Sequence, residues 1–176
     1  MKKSVLLLFF AGCVATGIFG IGRKIPMNRV NDLGQREGYW RDSVGGGFVY
    51  DLYYKGGKKD GLYKRFYRNK LFLFGEYIAD NISGTWYMFG DEGELRCTID
   101  SIELNKDSIY TGYCRIFCKY KCYCADYYPS GAVKSEGYMV CDEDFMVDFW
   151  EIGEWKYYDE SGNLIKTKDY GDRRTP

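Results

Sequence analysis

GTWYMFGDEGEL, residues 84–95, and GEWKYYDESGNL, residues 153–164, share one spacing. Both read Gly-x-Trp-x2-aromatic-x3-Gly-x-Leu. The positions are Gly84, Trp86, Phe89, Gly93 and Leu95 in the first, and Gly153, Trp155, Tyr158, Gly162 and Leu164 in the second. A match at this many positions in one register is the signature of an internal repeat. Its physics is readable. An aromatic strand runs into a polar turn, a Gly supplies positive φ there at little steric cost, and Leu starts the return strand. Each unit is a β-hairpin. A lone hairpin cannot bury its apolar face, whereas stacked hairpins can. The expected fold is therefore all-β: stacked antiparallel β-hairpins forming an extended, twisted sheet.

Weaker copies lie on either side. Gly61-x-Tyr63-x2-Phe66 leads to Asn69-x-Leu71, one residue shorter before its turn, with Asn69 able to take the left-handed conformation. Tyr127-Tyr128-Pro129-Ser130-Gly131-Ala132-Val133 matches the segment from Tyr157 to Leu164 with one deletion. Gly38, Gly61 and Gly84 lie 23 residues apart, each two positions before a ring: Trp40, Tyr63 and Trp86. The Trp40 copy departs from the pattern, with Ser43-Val44-Gly45-Gly46-Gly47 in place of its second aromatic and turn, and so does the stretch 98–125. On this reading Trp155, Tyr157 and Tyr158 are packing residues of the repeat, because aromatic ridges fill sheet faces.

The pattern resembles MORN-type repeats, in the variant found in bacterial YwqK-family antitoxin-like proteins. The resemblance rests on Gly84 to Leu95 and Gly153 to Leu164, with support from Gly61 to Leu71 and Tyr127 to Val133. It implies a stacked-hairpin sheet and a binding or scaffold role, and it brings no catalytic residues with it.

Composition agrees with a β protein. Of 176 residues, 19% are aromatic, including 18 Tyr, while Pro is scarce. With 25 basic and 25 acidic residues there is no electrostatic case for nucleic acid. The chain has no His, which excludes Ser-His and Cys-His nucleophile pairs and any His metal site.

The N-terminus, MKKSVLLLFFAGC, reads as a targeting segment: Lys2 and Lys3, then an apolar run from Val5 to Phe10, then small residues before Cys13. Phe10-Ala11-Gly12-Cys13 resembles a bacterial lipobox, although Phe10 stands where Leu is usual. Residues 1–12 are then a signal peptide, Cys13 is the lipidated first residue, residues 13–33 form a tether, 34–170 the repeat domain and 171–176 a flexible tail. An uncleaved anchor from Val5 to Ile21 and an ordinary cleaved signal are the alternatives. All three place the body outside the cytoplasm, at the bacterial cell envelope.

Residues 97–141 are the Cys-rich, irregular section. Cys114, Cys118, Cys122 and Cys124 share even parity, so one strand would carry all four on a single face. Tyr113 and Tyr123 would then point outward from the other face and form a candidate binding surface. Cys-x3-Cys-x3-Cys-x-Cys is not a zinc spacing, and one flat strand cannot wrap a tetrahedron, so no metal is expected. Disulfides among Cys97, Cys114, Cys118, Cys122, Cys124 and Cys141 compete with plain burial of thiols, and Cys97 and Cys141 are the natural cross-strand partners of the cluster.

Asp142-Glu143-Asp144 reads as a solvated turn, since it lacks the alternation and the Gly of a calcium loop. Gly45-Gly46-Gly47 precedes a strand rather than a helix, which argues against a phosphate loop. The expectation is a non-catalytic, exported scaffold that presents an aromatic sheet surface to a protein partner, without a cofactor. Glycan binding and toxin sequestration are the alternatives.

Overall fold

The computed structural model describes residues 26–106, 118–142 and 149–171. Cys13, Tyr113 and Cys114 lie outside them, as do the N-terminal segment to residue 25 and the tail from residue 172. The described residues form strands β1 (Arg29–Val30), β2 (Arg36–Val44), β3 (Phe48–Lys55), β4 (Lys58–Tyr67), β5 (Lys70–Ile78) and β6 (Asn81–Phe89). β7 (Leu95–Leu104), β8 (Tyr120–Tyr127), β9 (Val133–Cys141), β10 (Phe149–Tyr158) and β11 (Leu164–Asp169) follow. They build one open, antiparallel sheet whose spatial order is the sequence order, β1 to β11. The fold is all-β, and the hairpins are consecutive. No helix among the described residues is long and apolar enough to cross a membrane.

The repeat spacing translates directly into turns. In β6–β7, Gly90 N donates to Glu94 O at 2.8 Å and Gly93 N to Gly90 O at 3.0 Å. β10–β11 repeats this with Asp159 N to Asn163 O at 3.0 Å and Gly162 N to Asp159 O at 2.9 Å. Tyr128 to Ala132, between β8 and β9, makes the same pair of bonds at 2.9 and 2.8 Å. A further copy joins β1 to β2, where Asn31 N donates to Gln35 O at 2.8 Å and Gly34 N to Asn31 O at 2.9 Å. The side chains reinforce the likeness, because Asn31 Oδ1 and Asp159 Oδ1 each accept from two backbone N–H groups of their own turn. The sheet thus starts ahead of residue 34.

The shorter hairpins use tight two-residue turns. Arg68 and Asn69 have φ of 47° and 66°, and Ala79 and Asp80 have 48° and 70°, the pattern that matches strand twist in a two-residue loop.

Gly61, Gly84 and Gly153 have a different task. Each lies within a register shift of its strand pair, with φ of 132°, 64° and 59°. They are bulge residues in the left-handed half of the map, where a Cβ is disfavoured. The bulge re-aims the ring two residues on, which is why Gly-x-aromatic recurs. Between β7 and β8 the bulge falls after Asp100, and there a non-glycine, Ser101, takes φ of 51°.

The main core follows one face across all the central strands. It holds Leu52, Tyr63, Leu73, Tyr77, Trp86, Ile99, Tyr120, Met139 and Trp155, together with Cys97, Cys122, Cys124 and Cys141. Period-two alternation selects that face. A smaller cluster of Cys118, Val140 and Ile152 packs on the other side of β9 and β10, with Trp150 against it.

Cys118 corrects the expectation of four cysteines on one strand face. Strand β8 starts only at Tyr120. Before it, Asn105 Nδ2 donates to the carbonyl of Cys118 at 2.9 Å, and Asn105 N donates to Lys119 O at 2.9 Å. These bonds close the end of the β7–β8 connection, so Cys118 sits in the second cluster and not beside Cys122. Among the described cysteines of this run, Cys122 and Cys124 keep the shared face. Through residues 97–141 the antiparallel pairing of β7, β8 and β9 continues without a change of strand order.

Candidate functional site

Strands β3 to β6 place a row of rings on the core face. Tyr50, Leu52 and Tyr54 alternate on β3, and register sets Arg65 opposite Tyr50 and Tyr63 opposite Leu52. Tyr63 is the hub. Its ring centroid lies 5.8 Å from Tyr50, 5.7 Å from Tyr77 and 5.4 Å from Trp86, tilted or edge-on in each case. Such offset geometries are the favoured ones for aromatic pairs. The rings line an open groove of about 310 Å3, with Asp42, Lys59 and Arg65 among its walls.

Cations sit on the rings. The Arg65 guanidinium lies 4.4 Å from the Phe48 centroid and 5.2 Å from that of Tyr50. Lys59 Nζ is 4.6 Å from Tyr77. Stacking holds these long side chains in place along the wall. The groove therefore offers flat apolar faces bordered by positive charge and one carboxylate.

The opposite face carries its own aromatic pairs. Tyr123, expected to point outward, does lie on the face away from the main core, edge-on to Tyr138 at 5.2 Å and 79°. Its neighbourhood is more built than the sequence indicates. Tyr158 Oη donates to Glu136 Oε1 at 2.6 Å. Burial, then the Glu136 carboxylate, push the Tyr123 phenol above the ordinary tyrosine range. Further along this face, Arg41 grips the buried Asp51 through two N–H···O bonds of 2.6 and 2.7 Å, and the hydrogen bond to Asp51 raises the Arg41 pKa.

The cysteines form two cross-strand pairs. Cys97 Sγ on β7 lies 3.2 Å from Cys124 Sγ on β8, and Cys122 Sγ on β8 lies 3.7 Å from Cys141 Sγ on β9. All four are free thiols and buried. The Cys124 contact and burial hold the Cys97 thiol far above its normal range, and the Cys141 contact and burial do the same for Cys122.

Of the repeat-defining residues, Gly93 and Gly162 lie in turns, Gly84 and Gly153 in bulges, and Trp86 and Trp155 in the core. Leu95 and Leu164 open β7 and β11. The groove of Tyr50, Tyr63, Tyr77 and Arg65 was not singled out as a unit from the sequence. Its signal was the alternation in Phe48-Val49-Tyr50-Asp51-Leu52.

These features define a class by architecture: an open sheet of consecutive hairpins with a ring-lined face. Compared with protein-family models, curated proteins and solved structures, the chain matches none of them.

Proposed function

We propose that this chain is a non-catalytic binding or scaffold protein of the bacterial cell envelope, which presents its aromatic sheet surface to a protein partner. The observation that carries the reading is the groove of Tyr50, Tyr63, Tyr77 and Trp86 flanked by Arg65 and Lys59. Tyr, Trp and Arg in a concave, preformed site are the residue types that dominate protein-binding energetics. Their rings bury large area at small entropic cost. Placement at the envelope rests on the lipobox-like Phe10-Ala11-Gly12-Cys13, with lipidation at Cys13 as the anchor. The likeness to MORN-type repeats adds weight to a scaffold role, and toxin sequestration rests on that likeness alone.

A glycan is the second reading, favoured by Asp42 and Arg65 in one groove of rings, where hydroxyl groups would find both donors and an acceptor.

The test is capture of envelope proteins by the full chain, set against Arg65→Ala and Tyr123→Ala variants whose melting is first compared with wild type. A protein band that the Arg65→Ala variant loses at least ten-fold supports the groove. Loss in Tyr123→Ala alone moves the surface to the opposite face. Binding on a glycan array with no protein capture replaces the reading by the second one. Fatty-acid labelling that disappears in Cys13→Ala tests the anchor separately.

A further inference from the structure

The two halves of the sheet share one geometry around a glycine. In the first half Tyr63 faces Gly75 across the β4–β5 ladder, and Trp86 covers Gly75 from β6. In the second half Cys124 faces Gly137 across β8–β9, and Trp155 covers Gly137 from β10. A cysteine thus stands where the first half has a tyrosine ring. Beside it lies a cavity of about 160 Å3, lined by Cys97, Cys124, Asp126, Met139, Glu151 and Trp155 among others.

Cys97 Sγ, Cys124 Sγ and a carboxylate oxygen of Asp126 all lie within 4.8 Å of one another, and among the described residues no other such group of potential ligands occurs. The carboxylate is held in place: Ser135 Oγ donates to Asp126 Oδ2 at 3.0 Å. Metal ligands are commonly oriented in this way by a neighbour. Tetrahedral zinc with Zn–S bonds of about 2.3 Å sets two sulfurs roughly 3.8 Å apart. The observed 3.2 Å reaches that by a small side-chain rotation. The spacing from Cys114 to Cys124 argued against a metal; the difference is that Cys97 arrives from β7.

We propose that Cys97, Cys124 and Asp126 bind a zinc-class divalent cation, which clamps β7 to β8. Two thiol protons pass to solvent as two metal–sulfur bonds form, and no electrons move. The fourth position faces the cavity, where a water completes the set. The clamp falls where the sheet needs one. Among the described strands, β7 and β8 are the neighbours farthest apart in the chain, with fifteen residues between them, and long closures carry the larger entropic penalty.

Cd2+ titration of the reduced full-length protein tests the site, with zinc as competitor. A sulfur-to-cadmium charge-transfer band should saturate and be displaced by zinc. Cys97→Ser and Cys124→Ser should abolish it, Asp126→Asn should weaken affinity about ten-fold or more, and Cys141→Ser should leave it intact. Circular dichroism establishes that each variant is folded, and Asp126→Asn decides the matter if the serine variants are not. Binding by Asp126→Asn at wild-type affinity, or loss of the band in Cys141→Ser, overturns the proposal. So does recovery of a Cys97–Cys124 disulfide peptide from freshly purified protein that was never reduced.

Discussion

The indole of Trp86 rests on the bare backbone of Gly75: a Cβ built on Gly75 would stand 2.2 Å from Cδ2 of the ring. Trp155 lies on Gly137 in the same way, at 2.6 Å. Both indoles are nearly fully buried, and both are pinned by their N–H groups, Trp86 to Ser83 O at 3.1 Å and Trp155 to Tyr138 O at 2.7 Å. Neither ring can retreat without losing that bond. Gly75→Ala and Gly137→Ala should each destabilise by about 1–3 kcal/mol through overpacking. Urea unfolding measures it, and a cost under about 0.5 kcal/mol would mean that the indole yields.

Ser101 invites the opposite change. It holds φ of 51° at the β7–β8 bulge, a place that Gly61, Gly84 and Gly153 fill in their own strand pairs. A non-glycine in this region carries roughly 1–2 kcal/mol of strain. Glycine removes the strain but loosens the unfolded chain by about 0.4–1 kcal/mol. The exposed Ser101 also uses its Oγ only to bond the neighbouring Asp100, at 2.9 Å. Ser101→Gly should therefore raise the melting temperature by a few degrees. A fall would show that the serine hydroxyl has a role that its strain conceals.

Alkaline pH should weaken the fold. In the metal-free protein Cys97 and Cys122 are held protonated above their normal range, by the contact with the partner thiol and by burial. Tyr123 and Tyr157 are raised by burial first, then by hydrogen bonds to Glu136 and Tyr170. A group raised in the folded state stabilises fully below its unfolded pKa and loses that contribution as pH climbs toward the folded one. The unfolded values are about 8.5 for Cys and about 10 for Tyr. Stability should hold from neutrality to about pH 8, then decline in two stages. Urea midpoints measured from pH 7 to 11 check this, and a flat profile contradicts it.

The same burial makes the thiols inert. Cys97, Cys122, Cys124 and Cys141 are each at most 5% exposed. Alkylation at neutral pH should leave all four unmodified in the folded protein and label them only in denaturant. Mass spectrometry of the tryptic peptides reads this directly. Rapid native labelling of Cys124 would place the β7–β8 pair in an opened state.

The hairpins around Gly93 and Gly162 were legible because a turn and a bulge each impose a glycine, and the distance between them is fixed by strand length. The turn from Asn31 to Gln35 was not, although it makes the same two backbone bonds. Its preceding strand, Arg29–Val30, is two residues long and carries no ring to complete the spacing. Parity placed Cys122 and Cys124 on one face correctly. It could not pair Cys97 with Cys124, because register across a 15-residue connection is set by bulges such as the one at Ser101. The groove escaped notice for a related reason. Tyr50 and Arg65 meet only through inter-strand register, and nothing in either strand alone announces the other.

Strand order that never departs from sequence order also has a mechanical meaning. Each inner strand is joined by hydrogen bonds only to its neighbours in the chain, so tension on the two termini loads the hairpins in zipper fashion, one bond at a time. An end strand can peel while the remainder keeps its pairing. A ten-residue strand such as β4 would release about 33 Å of slack as it lets go. Pulled from its two ends, the molecule lengthens in strand-sized steps at low force.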